Sequence, residues 1–208
     1  MDYLNIALGK GRLADRTFAL LEQIGINFED DHTKSRKLIF LNKEEKIRII
    51  FVKASDVAIY VEQGAADMGV VGKDTLLEAQ ASVYEIMDLG FGKCKFAVAA
   101  PKNFTIKSDR KLKVATKYPN VSKKFFRKKG NPIEIIKLNG SVELAPIIGL
   151  SDVIVDIVET GTTLKENGLE VIEDICSVSA RLIVNKASFK TKTNKVHQII
   201  RGLKECIE

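Results

Sequence analysis

The chain has 208 residues, enough for one large domain or two small ones with a buried core. Hydrophobic residues make up 45% and charged residues 29%, the balance of a soluble globular protein, and no apolar stretch approaches the ~20 residues of a membrane span. Lys and Arg number 33 against 27 Asp and Glu; the net charge of +6 suits an anionic partner without naming it.

The opening Met1-Asp2-Tyr3-Leu4-Asn5 lacks the basic region and apolar core of a signal peptide, so a cytoplasmic protein is expected. Cys94, Cys176 and Cys206 are odd in number and far apart, which excludes a disulfide framework. No Cys/His spacing suggests a metal held by the chain, and His32 and His197 are too few for a mechanism built on several imidazoles. The densest basic run is Lys123, Lys124, Arg127, Lys128 and Lys129. Phe125 and Phe126 are expected to face inward there, leaving the cations as a solvated helix face. No spaced stacking aromatics accompany them, so neither nucleic acid nor membrane is an expected partner.

In chain order, apolar runs alternate with helical patterns, the signature of an α/β protein. Leu4 to Leu8 reads as a buried strand, Gly9-Lys10-Gly11 as a loop, and Leu13 to Ile24 as a helix stopped by Gly25. Lys37 to Leu41 and Ile47 to Val52 read as a hairpin. Ser55 or Asp56 is expected to cap a helix ending at Gly64. Met68 to Val71 reads as a strand, followed by a helix from Lys73 to Ala79. Phe96 to Ala100 and Leu112 to Thr116 are further strands, and Asn120 is expected to cap the basic helix, which stops at Gly130. Ile133 to Leu138 is a strand, and Glu143 to Ile148 a short helix with Pro146 in its first turn. Val153 to Val158 is a strand leading through Thr160-Gly161-Thr162-Thr163 into a helix. Val171 to Val184 is long enough for one strand or two. Val196, Ile199, Ile200, Leu203 and Ile207 stripe a closing amphipathic helix. Two α/β lobes joined by crossing strands, with a cleft between them, fit this order.

Two motifs carry chemistry. In Asp156-Ile157-Val158-Glu159-Thr160-Gly161-Thr162-Thr163-Leu164 a strand ends in carboxylates and a hydroxyl-rich loop opens a helix. Backbone N–H groups and hydroxyls at a helix N-terminus hold phosphate, and an upstream carboxylate accepts from ribose hydroxyls. Helix capping by Thr160 would suit the same residues. Gly9-Lys10-Gly11-Arg12 places two cations at the C-terminal end of a strand, where α/β proteins bind ligands. It has neither Walker nor GxGxxG spacing, and a turn with solvated charges fits it equally.

The acid–loop pattern resembles the 5-phosphoribosyl diphosphate (PRPP) loop of phosphoribosyltransferases. The whole chain resembles the short-form catalytic subunit of the ATP phosphoribosyltransferase family. The resemblance runs through "LGKGRL", "YVEQGAADMGVVGKDTL" at 60–76, "DLGFGKCKFAVAAP" at 88–101, "VATKYPNVSKKFF" at 114–126, "LNGSVELAPIIGLSDVIVDIVETGTTLKENGLE" at 138–170 and "ARLIVNKASFK" at 180–190. It implies a two-lobed α/β fold similar to type II periplasmic-binding proteins. A first, nucleotide-side lobe would hold 1–90 plus 176–208, and a second 91–175 with the PRPP loop. It implies transfer of phosphoribose from PRPP to N1 of ATP, the first step of histidine biosynthesis, with Mg²⁺ carried largely by the substrate.

By the resemblance, Glu143, Asp156, Thr160, Gly161, Thr162, Thr163 and Leu164 would bind PRPP. Lys10, Arg12, Arg36, Lys53 and Asp74 would line the ATP and diphosphate side, with Lys10 and Arg12 stabilising charge. No general base stands out. Helix capping or surface ion pairing would account for Glu143 and Asp156, and a hairpin surface charge for Arg36. The family commonly places arginine where Lys53 stands and proline where Ala58 stands; lysine keeps the charge but loses the planar fork. The chain stops at Glu208, with no room expected for the histidine-sensing C-terminal domain of the long forms; the resemblance to short forms implies a homodimer joined by a regulatory subunit similar to histidyl-tRNA synthetase that confers histidine sensitivity. The same fold could serve a solute-binding module or an idle regulatory paralogue. The absence of a leader argues against the first and the intact loop against both.

Overall fold

A computed structural model describes residues 3–105 and 110–207. Met1 and Asp2, which open the leader-free reading, lie outside the described residues. The chain divides into two units: one runs to Gly92 and resumes at Ser179, and the other is Lys93–Val178.

In the first unit the chain runs through β1 (Leu4–Gly9), α1 (Arg12–Gln23), β2 (Ile39–Asn42), β3 (Ile47–Val52) and a 3-10 turn, Ala54–Asp56. It continues with α2 (Val57–Glu62), β4 (Met68–Gly72), α3 (Lys73–Ala79) and β5 (Tyr84–Asp88). The Ser55 and Asp56 caps do not form. The chain enters α2 from the 3-10 turn, so Asp56 is already in helical geometry and its side chain makes no capping bond.

The second unit contains β6 (Cys94–Pro101), β7 (Leu112–Thr116), α4 (Pro119–Lys128), β8 (Ile133–Lys137), α5 (Leu144–Ile147), β9 (Val153–Val158), α6 (Thr162–Glu166) and β10 (Leu169–Val178). Pro119 opens α4, because its fixed φ suits a first turn and its missing N–H costs nothing there. Asn120 therefore sits inside the helix, not at its cap. Phe126 is buried while Lys123, Lys124, Arg127 and Lys128 are exposed. Lys129 pairs with Glu173. The sheet order is β10-β6-β9-β7-β8, with β7 parallel to both β8 and β9.

The first unit closes with β11 (Ala180–Val184), α7 (Lys186–Thr191) and α8 (Thr193–Ile207). The run from Val171 to Val184 is thus two strands in two different sheets. The first unit's sheet has the order β2-β3-β1-β4-β11-β5, with β1 parallel to β3 and β4. β1 is central and reads as a continuous apolar run because it is covered on both faces. Leu21 of α1 joins Val196, Ile199 and Leu203 of α8 on one face; Val57, Val61 and Leu76 cover the other. Both units are mixed sheets flanked by helices, an α/β protein. Among the described residues no helix is long and apolar enough to cross a membrane. No disulfide joins Cys94, Cys176 and Cys206.

Candidate active site

In the second unit the chemistry gathers at the carboxyl ends of three neighbouring parallel strands. Parallel register places the ends of β8, β7 and β9 on one edge. The Thr116 hydroxyl ties that edge, donating to the Val155 carbonyl at 2.7 Å and accepting from the Tyr118 N–H at 2.8 Å. Asp156 lies in β9 opposite Ala97 and accepts from the Ile157 N–H at 2.8 Å. Two residues further on, Val158 is buried; Glu159 and Thr160 are exposed.

Gly161 then takes left-handed geometry, φ 78° and ψ 4°, at the cap position of α6. A side chain is strained there, so glycine lets the chain turn from strand to helix within three residues. Leu164 is buried beside Val158 and Leu169 and anchors the helix to the sheet. Thr162 and Thr163 remain exposed at its start. Thr160 is not the cap. Its hydroxyl lies 3.0 Å from that of Thr162 and only 3.4 Å from the Thr162 N–H. Glu143 emerges from the β8 loop at the cap position of α5, half-buried, without a side-chain capping bond. The preceding Ser141 has φ 47°, an uncommon conformation for serine. Ser141 belongs to the "GSVELAP" stretch of the resemblance, and the Asn139-Gly140 pair before it signals the turn.

In the first unit the same geometry recurs. Gly9 pairs in register with Val52, and Leu8 with Val70, so the loops after β1, β3 and β4 leave one edge. Just beyond these strand ends stand Lys10 in the loop and Arg12 at the start of α1, Lys53 after β3, and Asp74 in the first turn of α3. Gly9 is required by close approach: a Cβ there would come 2.8 Å from the Cα of Ala54 in the turn that follows Lys53. Gly11, φ 113°, opens α1. The Lys10 ammonium lies 5.6 Å from the centre of the Phe51 ring. Phe51, unremarked in the sequence reading, is the penultimate residue of β3; its place two residues before Lys53 on a strand facing the core was the signal. Asp74, in the first turn of α3, folds its carboxylate back over Gly72, where a Cβ would approach its Oδ1 to 2.1 Å. β2 runs antiparallel to β3, with Ile39 opposite Ile50 and the Leu38 carbonyl accepting from the Phe51 N–H. Arg36, two residues before Leu38, therefore stands at the same edge as Lys53. Each set of predicted residues gathers within its own unit: Lys10, Arg12, Arg36, Lys53 and Asp74 in the first, Glu143, Asp156 and the 160–164 loop in the second.

The family model described as ATP phosphoribosyltransferase (HisG) matches residues 53–205. The chain belongs to the ATP phosphoribosyltransferase family. It is 61% identical over 206 residues to the ATP phosphoribosyltransferase of Clostridioides difficile, covering 99% of each chain. It is 55% identical over 203 residues to that of Oceanobacillus iheyensis, covering 98% of each. A solved ATP phosphoribosyl transferase (HisG:HisZ) complex from Thermotoga maritima contains a chain 38% identical, with a TM-score of 0.87 over 99% of this chain and 98% of that one. The VFT2 domain of Bordetella pertussis BvgS, 10% identical, shares the fold with a TM-score of 0.61 over 99% of this chain and 88% of that one. The fold is thus α/β and of the periplasmic-binding-protein kind, and the length is that of the short ATP phosphoribosyltransferases. The chain is a pentosyl-transferring enzyme that moves phosphoribose from PRPP to ATP, the first step of histidine biosynthesis. Such a reaction normally uses a divalent metal. Among the described residues no three His, Cys, Asp or Glu side chains converge on one metal position.

Proposed function

We propose that the loop 160–164 of the second unit holds the 5-phosphate of PRPP, with Asp156 and Glu143 accepting from its ribose hydroxyls. The observation that carries this reading is the left-handed Gly161 at the end of a central strand, between an upstream acid and exposed Thr162 and Thr163. Hydroxyls and helix N-terminal N–H groups favour a dianionic ligand there. The cations of the first unit take the other charges. Lys10 and Arg12 stabilise the leaving diphosphate, Arg36 and Lys53 the triphosphate of ATP, and Asp74 lines the nucleotide side. Lys53 contributes a point charge where a guanidinium would bind two oxygens at once.

The lone pair of adenine N1 attacks C1 of the ribose. The C1–O bond to pyrophosphate breaks with its electron pair on oxygen, and the anomeric centre inverts. N1 carries no proton to remove, so no strong general base is required. Orientation and charge stabilisation carry the rate. When bound with the substrate, Mg²⁺ would neutralise part of the diphosphate charge that Lys10 and Arg12 meet. Asp156 and Glu143 orient the ribose, and Lys10 and Arg12 meet the negative charge that grows on the leaving oxygen. The enzyme acts in the cytoplasm, as a dimer joined to a regulatory subunit similar to histidyl-tRNA synthetase; the two-chain composition of the Thermotoga maritima complex supports that pairing. The test mixes the protein with ATP, PRPP and Mg²⁺. Pyrophosphate release with the ultraviolet change of an N1-substituted adenine is expected. Pyrophosphate release without that change would mean a different acceptor atom.

A further inference from the structure

The irregular segment between α1 and β2 contains three cations, Lys34, Arg36 and Lys37. Two are engaged within the segment. Lys37 pairs with Asp30 at 2.6 Å and Lys34 with Asp31 at 3.2 Å. Asp31 also accepts from the Thr33 N–H at 2.9 Å and the Thr33 hydroxyl at 2.6 Å, which with the Lys34 pair holds its carboxyl down at about 2. Arg36 takes part in neither pair and is exposed. The segment thus neutralises its neighbouring charges and leaves one guanidinium at the edge where Lys10 and Lys53 stand.

A second set of contacts holds the segment in place. The His32 ring stacks on Phe18 of α1 with centroids 3.8 Å apart and planes 10° apart. Its Nε2 lies 2.9 Å from Oδ1 of Asp15, one turn before Phe18. Phe18 in turn stacks on Phe51, 6.1 Å away, whose ring carries the Lys10 ammonium. One aromatic column therefore runs from His32 through Phe18 and Phe51 to Lys10. It joins α1, β3 and the Arg36 segment.

We propose that His32 is a positioning residue for nucleotide binding: stacked on Phe18 and bonded to Asp15, it tethers the 30–37 segment to α1 so that Arg36 meets the polyphosphate of ATP. This rests on the reading of Arg36 as a nucleotide-side cation. The imidazole works as a flat ring with one polar tip, and needs no proton transfer. A free segment would have to be ordered by the ligand at an entropic cost; a tethered one is ordered beforehand. PRPP, whose 5-phosphate and ribose are assigned to the second unit and whose diphosphate meets Lys10 and Arg12 rather than Arg36, gains nothing from the tether.

The test is steady-state kinetics of H32A, H32F and R36M in the full chain with its Mg²⁺. H32A should raise KM for ATP roughly tenfold and leave KM for PRPP unchanged, and H32F, which keeps the stacked ring, should recover most of the loss. In the R36M background, H32A should add about twofold or less, because the tether then holds nothing that binds. A generally structural role would raise both KM values and add in full to R36M. If R36M raises KM for ATP and H32A does not, the tether is overturned while the reading of Arg36 stands. If R36M itself leaves KM for ATP unchanged, that reading falls and takes the tether with it. Should H32A not fold, D15N loosens the same tether from the α1 side and must show the same ATP-only effect.

Discussion

Thr163 and Arg12 put the two proposed groups of binding residues, one in each unit, to the test one side chain at a time. Thr163 is exposed in the first turn of α6 and its hydroxyl is read as a donor to a phosphate dianion. Thr163→Ala removes one charge-assisted hydrogen bond, worth ~1.5–3 kcal/mol, and should weaken PRPP binding by roughly ten- to a hundredfold. Direct titration with each substrate checks it. ATP affinity should hardly move, and an equal loss for both substrates in a folded variant would remove the loop from the phosphate site. Arg12 is exposed at the start of α1, outside the packed core. Arg12→Ala should therefore lower kcat strongly while shifting Tm little, since little packing is lost. Unchanged kinetics would show a cation solvated rather than turned to the leaving diphosphate.

Elements are held by contacts of a different kind, and these respond to pH and to packing. Asp152, just before β9, accepts from Arg110 at 2.7 and 2.5 Å and from the Lys113 N–H at the start of β7 at 2.8 Å. The Arg110 guanidinium beside it holds its carboxyl below the usual value of 3.8, against a smaller opposing effect of burial. A lowered carboxyl stabilises the fold fully above the unfolded value, and that contribution is lost as pH falls from there through the lower folded one. Arg110→Met should thus cost about 1 kcal/mol at pH 7, with Arg110 half exposed, and the gap to the parent should close below about pH 4. Urea denaturation at both pH values measures it. Packing gives a sharper case at Gly9. The methyl of Gly9→Ala would enter the backbone of Ala54, so destabilisation of ~1–3 kcal/mol is expected, with kcat falling as Lys10 shifts from the leaving diphosphate. A fully stable variant with unchanged kinetics would show that the turn yields freely. These elements differ in how far sequence betrays them. β1 and β9 were legible because strands buried on both faces are continuous apolar runs. β5 was not, since Tyr84–Asp88 is an edge strand with no buried residue. α7 also escaped: its six residues lack an apolar stripe, and its order comes from the Asn185 side chain accepting from the Ala187 and Ser188 N–H groups at 2.9 Å. The 156–164 loop was legible because its chemistry is local. The gathering of Lys10, Lys53 and Arg36 depends on β2-β3-β1 order, which no local pattern encodes.

At the scale of the whole molecule the question is where the histidine sensitivity expected from the family resemblance would reside. In the reading proposed above, both groups of site residues are taken up by the two substrates, the first unit's cation edge by ATP and diphosphate and the second unit's loop by the 5-phosphate and ribose of PRPP. The chain spans 99% of its Clostridioides difficile relative, and its solved Thermotoga maritima relative occurs in a complex of two different proteins. Feedback requires a second site whose ligand favours one state of the enzyme over another, a coupling of typically 1–3 kcal/mol. The reading proposed above puts that site in the partner subunit. The purified chain should then show no saturable histidine binding by calorimetry, and its activity should be indifferent to histidine. Adding the regulatory subunit should raise activity and bring histidine inhibition with it. By linkage, PRPP or ATP should then weaken histidine binding to the complex by the same factor by which histidine weakens theirs. Saturable binding to the chain alone, with inhibition in the absence of any partner, would place the sensor within these two units.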